Sequence, residues 1–164
     1  MYDANYHHLL GYALRRTATR EDAEDVVAET FLTAWRRLER LPDGDGARPW
    51  LYGIARKVLA NQRRGDVRRA RLKRLVSDFA VQQPSDTADE VATVAAAFVR
   101  LSDDDREVLA LTAWEELDAG EIATVLGCSR NAARIRLHRA RRRLVHELKV
   151  GRYREWTARR AEAR

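Results

Sequence analysis

Cysteine is almost missing from this 164-residue chain: Cys128 stands alone, so no internal disulfide framework can form and a reducing compartment is indicated. Long apolar runs are missing too. No stretch approaches the roughly 18 consecutive apolar residues of a membrane-spanning helix, and the start, "MYDANYHHLLGYALRRTATRED", lacks the basic opening and apolar core of a signal peptide. The expectation is a soluble cytoplasmic protein that makes no membrane contact. Alternating apolar and polar residues, the mark of a half-buried strand, form no convincing run, and with only three prolines little interrupts a helical period. Histidine is limited to His7, His8, His138 and His146, which do not cluster as ligands, and no glycine-rich phosphate loop occurs. These gaps argue against an enzyme, a bound metal, a cofactor or a small-molecule substrate. Cys128 reads as packing in a turn and not as a redox sensor.

Apolar residues at spacings of three and four are abundant, and they predict an all-α fold. A first helix covers about 3–16. After it, Thr19 caps a second helix whose stripe is Ala23, Val26, Val27, Thr30, Phe31, Ala34, Trp35 and Leu38. The loop "PDGDGARP" ends that helix. Pro49 then sits at the first position of a third, about 49–64, which buries Leu51, Ile54, Ala55, Val58 and Leu59. "RRGDVRRARLKR" followed by "SDFAVQQPSDTADE" reads as a helix fading into a flexible linker. The division is a first helical domain over 1–66, a linker over 67–90, a second helical domain over 91–148 and a basic tail over 149–164. The tail holds six basic and two acidic residues and is read as solvated, although it could extend the last helix.

Charge is segregated within a formal total of +6: residues 101–121 carry eight carboxylates against Arg106 alone, whereas 130–143 carry seven arginines and no acid. Asp118 and Glu121 have the spacing of a capping box for a short helix, 119–126. Gly127 supplies the left-handed stop, and Ser129 caps a longer helix from 130 to 148. A short helix, a turn with glycine and a longer basic helix make a helix-turn-helix, whose second helix enters the DNA major groove. With Ala133, Leu137, Ala140 and Leu144 inward, the outward face is Arg130, Asn131, Arg134, Ile135, His138, Arg139 and Arg142. Arginine suits such a face because it pairs with phosphates and forks onto guanine acceptors. The bland alternative is a solvated arginine-rich helix packed on the acidic segment.

In the first half, Asp22, Asp25, Glu29 and Arg36 share an outer face, which by itself is a solvated acidic face as readily as a docking surface. Trp50 and Tyr52 are interleaved with Arg56, Lys57, Arg63 and Arg64, a mixture that suits single-stranded nucleic acid because bases stack on rings and the backbone seeks cations. Either ring could equally belong to the core.

Taken in order, "DAEDVVAETFLTAWRRL", "ARPWLYGIARKVLANQRR", the linker and "LSDDDREVLALTAWEELDAGEIATVLGCSRNAARIRLHRARRRL" resemble the extracytoplasmic-function group of bacterial sigma factors over about residues 5–148. The resemblance implies that RNA polymerase core and promoter DNA, duplex and melted, are the partners, together with an anti-sigma protein covering the same surfaces. It implies docking on core at Asp25, Val26, Glu29 and Thr30. It implies minus-10 recognition at Trp50, Tyr52, Arg56, Lys57, Arg63 and Arg64, with "PDGDGAR" receiving a flipped base. It implies minus-35 recognition at Arg130, Asn131, Arg134, Ile135, His138 and Arg139. Lys57 departs from the asparagine of many members, which points to phosphate contact. Asn131, Ala132 and Ile135 depart from the common Gly-Thr and Ser, which points to an unusual promoter preference. In most relatives the first helix also begins several residues before the position of Met1.

The main rival is a stand-alone helix-turn-helix regulator. It would need a dimer interface and twofold half-sites, no leucine heptad is present, and the N-terminal half would have no role. A nucleic-acid-processing enzyme would need a metal or acid–base cluster that the histidines do not supply.

Overall fold

The computed structural model describes the backbone of residues 2–42, 44–70 and 86–162, and side chains over 2–42, 44–62 and 93–151. Among the described residues there are seven α-helices and no strand: α1 (Tyr2–Leu14), α2 (Arg20–Trp35), α3 (Ala47–Ala70), α4 (Asp86–Val99), α5 (Asp103–Ala113), α6 (Ala119–Leu126) and α7 (Arg130–Glu162). Most of the predicted linker, residues 71–85, lies outside the described residues.

Local chemistry sets several boundaries. The Thr19 hydroxyl accepts from the Asp22 amide at the start of α2, and Ser102 does the same for Asp105 at the start of α5. Helix α3 begins two residues before Pro49, which therefore sits within the first turn, where a missing N–H costs no intrahelical bond. The predicted stripe of α2 is buried at Ala23, Val26, Val27, Thr30 and Ala34. Trp35 and Leu38 depart from it, because α2 ends at Trp35 and the chain tightens into a 3-10 turn over Leu38–Arg40, so the helical register does not continue. Trp35 is left 70% exposed.

Helices α1, α2 and α3 pack as one unit; α4, α5 and α6 gather around α7. The second unit has a small cluster of its own, Leu101, Leu109 and Ala140 with Phe98, Leu137 and Leu144. The larger core crosses between the units: Leu9, Tyr12, Leu51, Ile54 and Ala55 join Leu111, Leu117, Ile122, Ala123, Val125 and Ala133. Helix α3 lies directly on α6, with Gly53 facing the Thr124 and Val125 backbone at van der Waals distance. The two helical domains are thus docked face to face. Each large apolar side chain buried in the seam contributes on the order of 1.5–3 kcal/mol before chain entropy is counted.

Candidate nucleic-acid interface

The helix-turn-helix forms by local rules. Asp118 accepts from the Gly120 and Glu121 amides at 2.6 and 2.8 Å, and Glu121 returns an acceptor to the Asp118 amide at 2.8 Å. Those backbone N–H groups hold the Asp118 carboxyl below the usual carboxylate range. Gly127 stops α6 at φ 64°, ψ 42°, a left-handed conformation costly for other residues. The Cys128 amide donates to the Ala123 carbonyl, and Ser129 accepts from the Ala132 amide, which fixes the start and direction of α7.

Two fully buried alanines, Ala133 and Ala140, let α7 lie close against the other helices. Arg130, Asn131, Arg134, Ile135, His138 and Arg139 are all exposed, as is Arg142. Arg130 touches Asp118 at 3.8 Å, a pair too exposed to hold it. Arg143 has a different job: it donates to both oxygens of Asp105 at 2.6 and 2.8 Å. Burial alone would raise the Asp105 carboxyl, but the bonds from Arg143 and Ser102 outweigh it and the group titrates lower than usual.

On the first unit the predicted residues divide. Asp25 and Glu29 are exposed, whereas Val26 and Thr30 are 0% exposed. These two therefore leave the docking set: a side chain without surface cannot meet a partner, and the Thr30 hydroxyl already donates to the Val26 carbonyl at 2.6 Å. Spacings of four and three place Glu21, Asp25, Ala28, Leu32 and Trp35 on one exposed row, acidic at its start and apolar at its end. Periodicity names the row; the exposure of Leu32 and Trp35 only emerges from the packing.

Trp50 is half-buried against the core. Tyr52 is 1% exposed and stacks near Tyr12, with its hydroxyl donating to Glu115 at 3.3 Å. Burial, then the Glu115 carboxylate, pushes its phenol above the ordinary value. In this arrangement Tyr52 cannot stack a base, because its ring packs beside Tyr12 of α1 and its hydroxyl is held by Glu115 of the second unit. Arg56 is half-buried and lines a recess of about 420 Å³ together with Arg136, Arg139 and Arg143 of α7. Lys57 is exposed beside Glu29, Thr33 and Asn61 in an open groove of about 390 Å³ between α2 and α3. The side chains of Arg63 and Arg64 lie outside the described residues.

The seam between the units is polar as well as apolar. Glu115 is 5% exposed and accepts twice from Arg15 at 2.8 Å, with Arg16 at 3.5 Å. Glu107 accepts from the Tyr12 hydroxyl at 2.9 Å and from Arg16 at 3.1 Å, and the Arg16 guanidinium lies over the Tyr12 ring at 3.6 Å. One Arg16 nitrogen, Nη2, is buried without a partner. Desolvation and then Glu107 raise the Tyr12 phenol. None of these seam residues is marked by periodicity; two adjacent arginines facing an acid-rich segment are the one sequence signal for them.

Among the described residues no three His, Cys, Asp or Glu side chains are placed to hold a metal, and no helix is long and apolar enough to cross a membrane. The fold and its arginine face define a helical DNA-binding protein built from two units. Residues 1–70 match the sigma-70 region 2 family and residues 93–144 match sigma-70 region 4. The chain is 36% identical over 166 residues to the ECF RNA polymerase sigma factor SigL of Mycobacterium tuberculosis, covering 93% of this chain and 90% of that relative. It is 30% identical to the RNA polymerase sigma factor YlaC of Bacillus subtilis, covering 94% of each. Its fold matches that of the sigma factor RpoE in complex with the anti-sigma factor NepR from Bartonella quintana, with TM-score 0.65, 24% identity and coverage of 92% and 99%. It also matches CnrH in complex with the cytosolic domain of CnrY, with TM-score 0.62, 27% identity and coverage of 91% and 85%. The chain belongs to the extracytoplasmic-function group of RNA polymerase sigma factors and serves promoter-specific transcription initiation. Sigma factors are generally non-enzymatic regulators.

Proposed function

We propose that the chain divides this work between two surfaces: 1–66 docks on polymerase and captures the minus-10 strand, while 91–148 reads the minus-35 duplex, with 67–90 between them and 149–164 as a basic tail. The observation that carries the reading is the row of exposed arginines on α7, positioned by a capped turn and opposite a buried alanine stripe. Arg130, Asn131, Arg134, Ile135, His138 and Arg139 read base edges and adjoining phosphates. Asp25 and Glu29 supply the charged part of core docking. Trp50, Arg56, Lys57, Arg63 and Arg64 meet the opened strand, and Tyr52 joins them once uncovered. Binding energy for the exposed strand offsets the few kcal/mol needed to unstack each flipped base, so the protein catalyses no reaction of its own. The work takes place in the cytoplasm.

The docked arrangement is the resting one. The two elements lie about 25 base pairs apart, on the order of 85 Å of straight duplex, whereas α3 and α6 are in van der Waals contact and Arg56 shares a recess with Arg139. Both elements can be held only if the seam opens, and polymerase docking supplies the energy. An anti-sigma partner works in the opposite sense, by covering the surfaces that polymerase and promoter use.

The test is run-off transcription by purified core polymerase with this protein on a randomised promoter library. Transcripts sharing two spaced elements are expected, and Arg134→Ala relaxes choice at one upstream position by about 1–3 kcal/mol. Sequence-independent binding without selected start sites contradicts the reading.

A further inference from the structure

The recognition face does not stop where the helix-turn-helix does. Sigma-70 region 4 matches to residue 144, yet α7 continues without a break to Glu162. Stepping by four and three from Arg134 and His138 leads to Arg141, Arg142, Val145, His146 and Lys149, so this second set lies on the same side of the rod as the base-reading residues. All five are exposed and together they line a shallow hollow of about 410 Å³. None forms an ion pair among the described residues. Glu147, the one carboxylate over 130–151, falls on the opposite side and is half-buried.

The extension is also braced. Helix α4 packs along α7, Leu144 joins the Phe98 and Leu101 cluster, and Gly151 further along the rod is buried as well. Burial on one side and uncompensated charge on the other is the pattern of a rod that presents cations, and the chemistry it complements is a row of phosphates.

We infer that Arg141, Arg142, His146 and Lys149 form a second DNA contact, to the sugar-phosphate wall beside the minus-35 element. The stretch from Arg130 to Lys149 is about 28 Å long, more than twice the roughly 12 Å width of the major groove. A straight rod whose first turns read bases must therefore pass over the flanking strand. The contact takes any sequence, since phosphates carry none. It is strongest at Arg141 and Arg142, nearest the groove, and fades towards Lys149 as the rod leaves the duplex. The inference rests on α7 being the duplex reader.

The experiment uses holoenzyme reconstituted from core polymerase and the full chain, with promoter fragments carrying ethylated phosphates and a salt titration. The triple variant Arg141→Ala, Arg142→Ala, Lys149→Ala is expected to weaken binding on every sequence alike and to reduce the salt slope by about two to three. Its loss relative to wild type shrinks by about tenfold or more between 50 and 200 mM salt, and one or more phosphates at the edge of the element stop mattering. Arg142→Lys keeps the slope, because charge suffices. An unchanged slope and interference pattern overturns the inference, as does weakened assembly with core at an unchanged slope, which would assign this face to a protein. Arg134→Ala is the control for the underlying reading: if it too leaves sequence choice intact, α7 is not the reader at all, a failure distinct from that of the extension alone.

Discussion

Asp105 shows how a single side chain ties the recognition helix to its support. It accepts from Ser102 at one end of α5 and twice from Arg143 on α7, and those bonds keep its carboxyl charged below the usual range. A depressed folded pKa means that the stability it contributes is present above the unfolded value near 4 and fades as pH falls through the lower folded value. Urea unfolding followed from pH 7 to pH 3 should show Asp105→Asn about 1 kcal/mol less stable than wild type at neutrality, with the gap closing in acid. A gap that persists at pH 3 would trace the loss to packing. At this scale the local chemistry was legible: the box of Asp118 and Glu121, the Gly127 stop and the Ser129 cap are set by residues three or four apart. Roles were less so. Val26 and Thr30 lie within a stretch that resembles a docking motif, but the buried face of α2 claims them.

For α2 as an element, one face packs and the opposite face is free, and the free face changes character along its length. Glu21, Glu24 and Asp25 give way to Ala28, Leu32 and Trp35, with the indole 70% exposed. Apolar anchors next to charges that steer are the usual composition of a protein interface. Substituting Trp35 or Leu32 by alanine should weaken binding to core polymerase, by about 2 kcal/mol for Trp35, while leaving the thermal midpoint unchanged. Val26→Ala or Thr30→Val should do the reverse and affect stability first. Titration of labelled protein with core polymerase, alongside a melting curve, separates the two; equal core binding by Trp35→Ala would remove the indole from the docking face. The helical period predicted the buried stripe of α2 correctly up to Ala34 and failed at Trp35 and Leu38. A period holds only while the helix lasts, and α2 ends there.

Across the whole molecule the feature least visible in the sequence is the docking of its halves. The all-α class, the helix-turn-helix and the presence of two units follow from short-range pattern. Which surfaces meet is decided by pairs far apart in the chain, such as Arg15 with Glu115 and Tyr12 with Glu107. The acidic segment does meet arginines, but Arg15 and Arg16 just after α1 as well as Arg143 of α7, and so most of the recognition face stays free.

The central claim is that one chain reads two promoter elements and must separate its halves to do so. The most direct measurement is energy transfer between one dye on exposed Ala60 of α3 and another on exposed Arg136 of α7, both introduced as cysteines with Cys128 replaced by serine. Efficient transfer in the free protein, collapsing when core polymerase and promoter are added together, is the predicted result. Transfer that stays high in a complex actively making transcripts would contradict it.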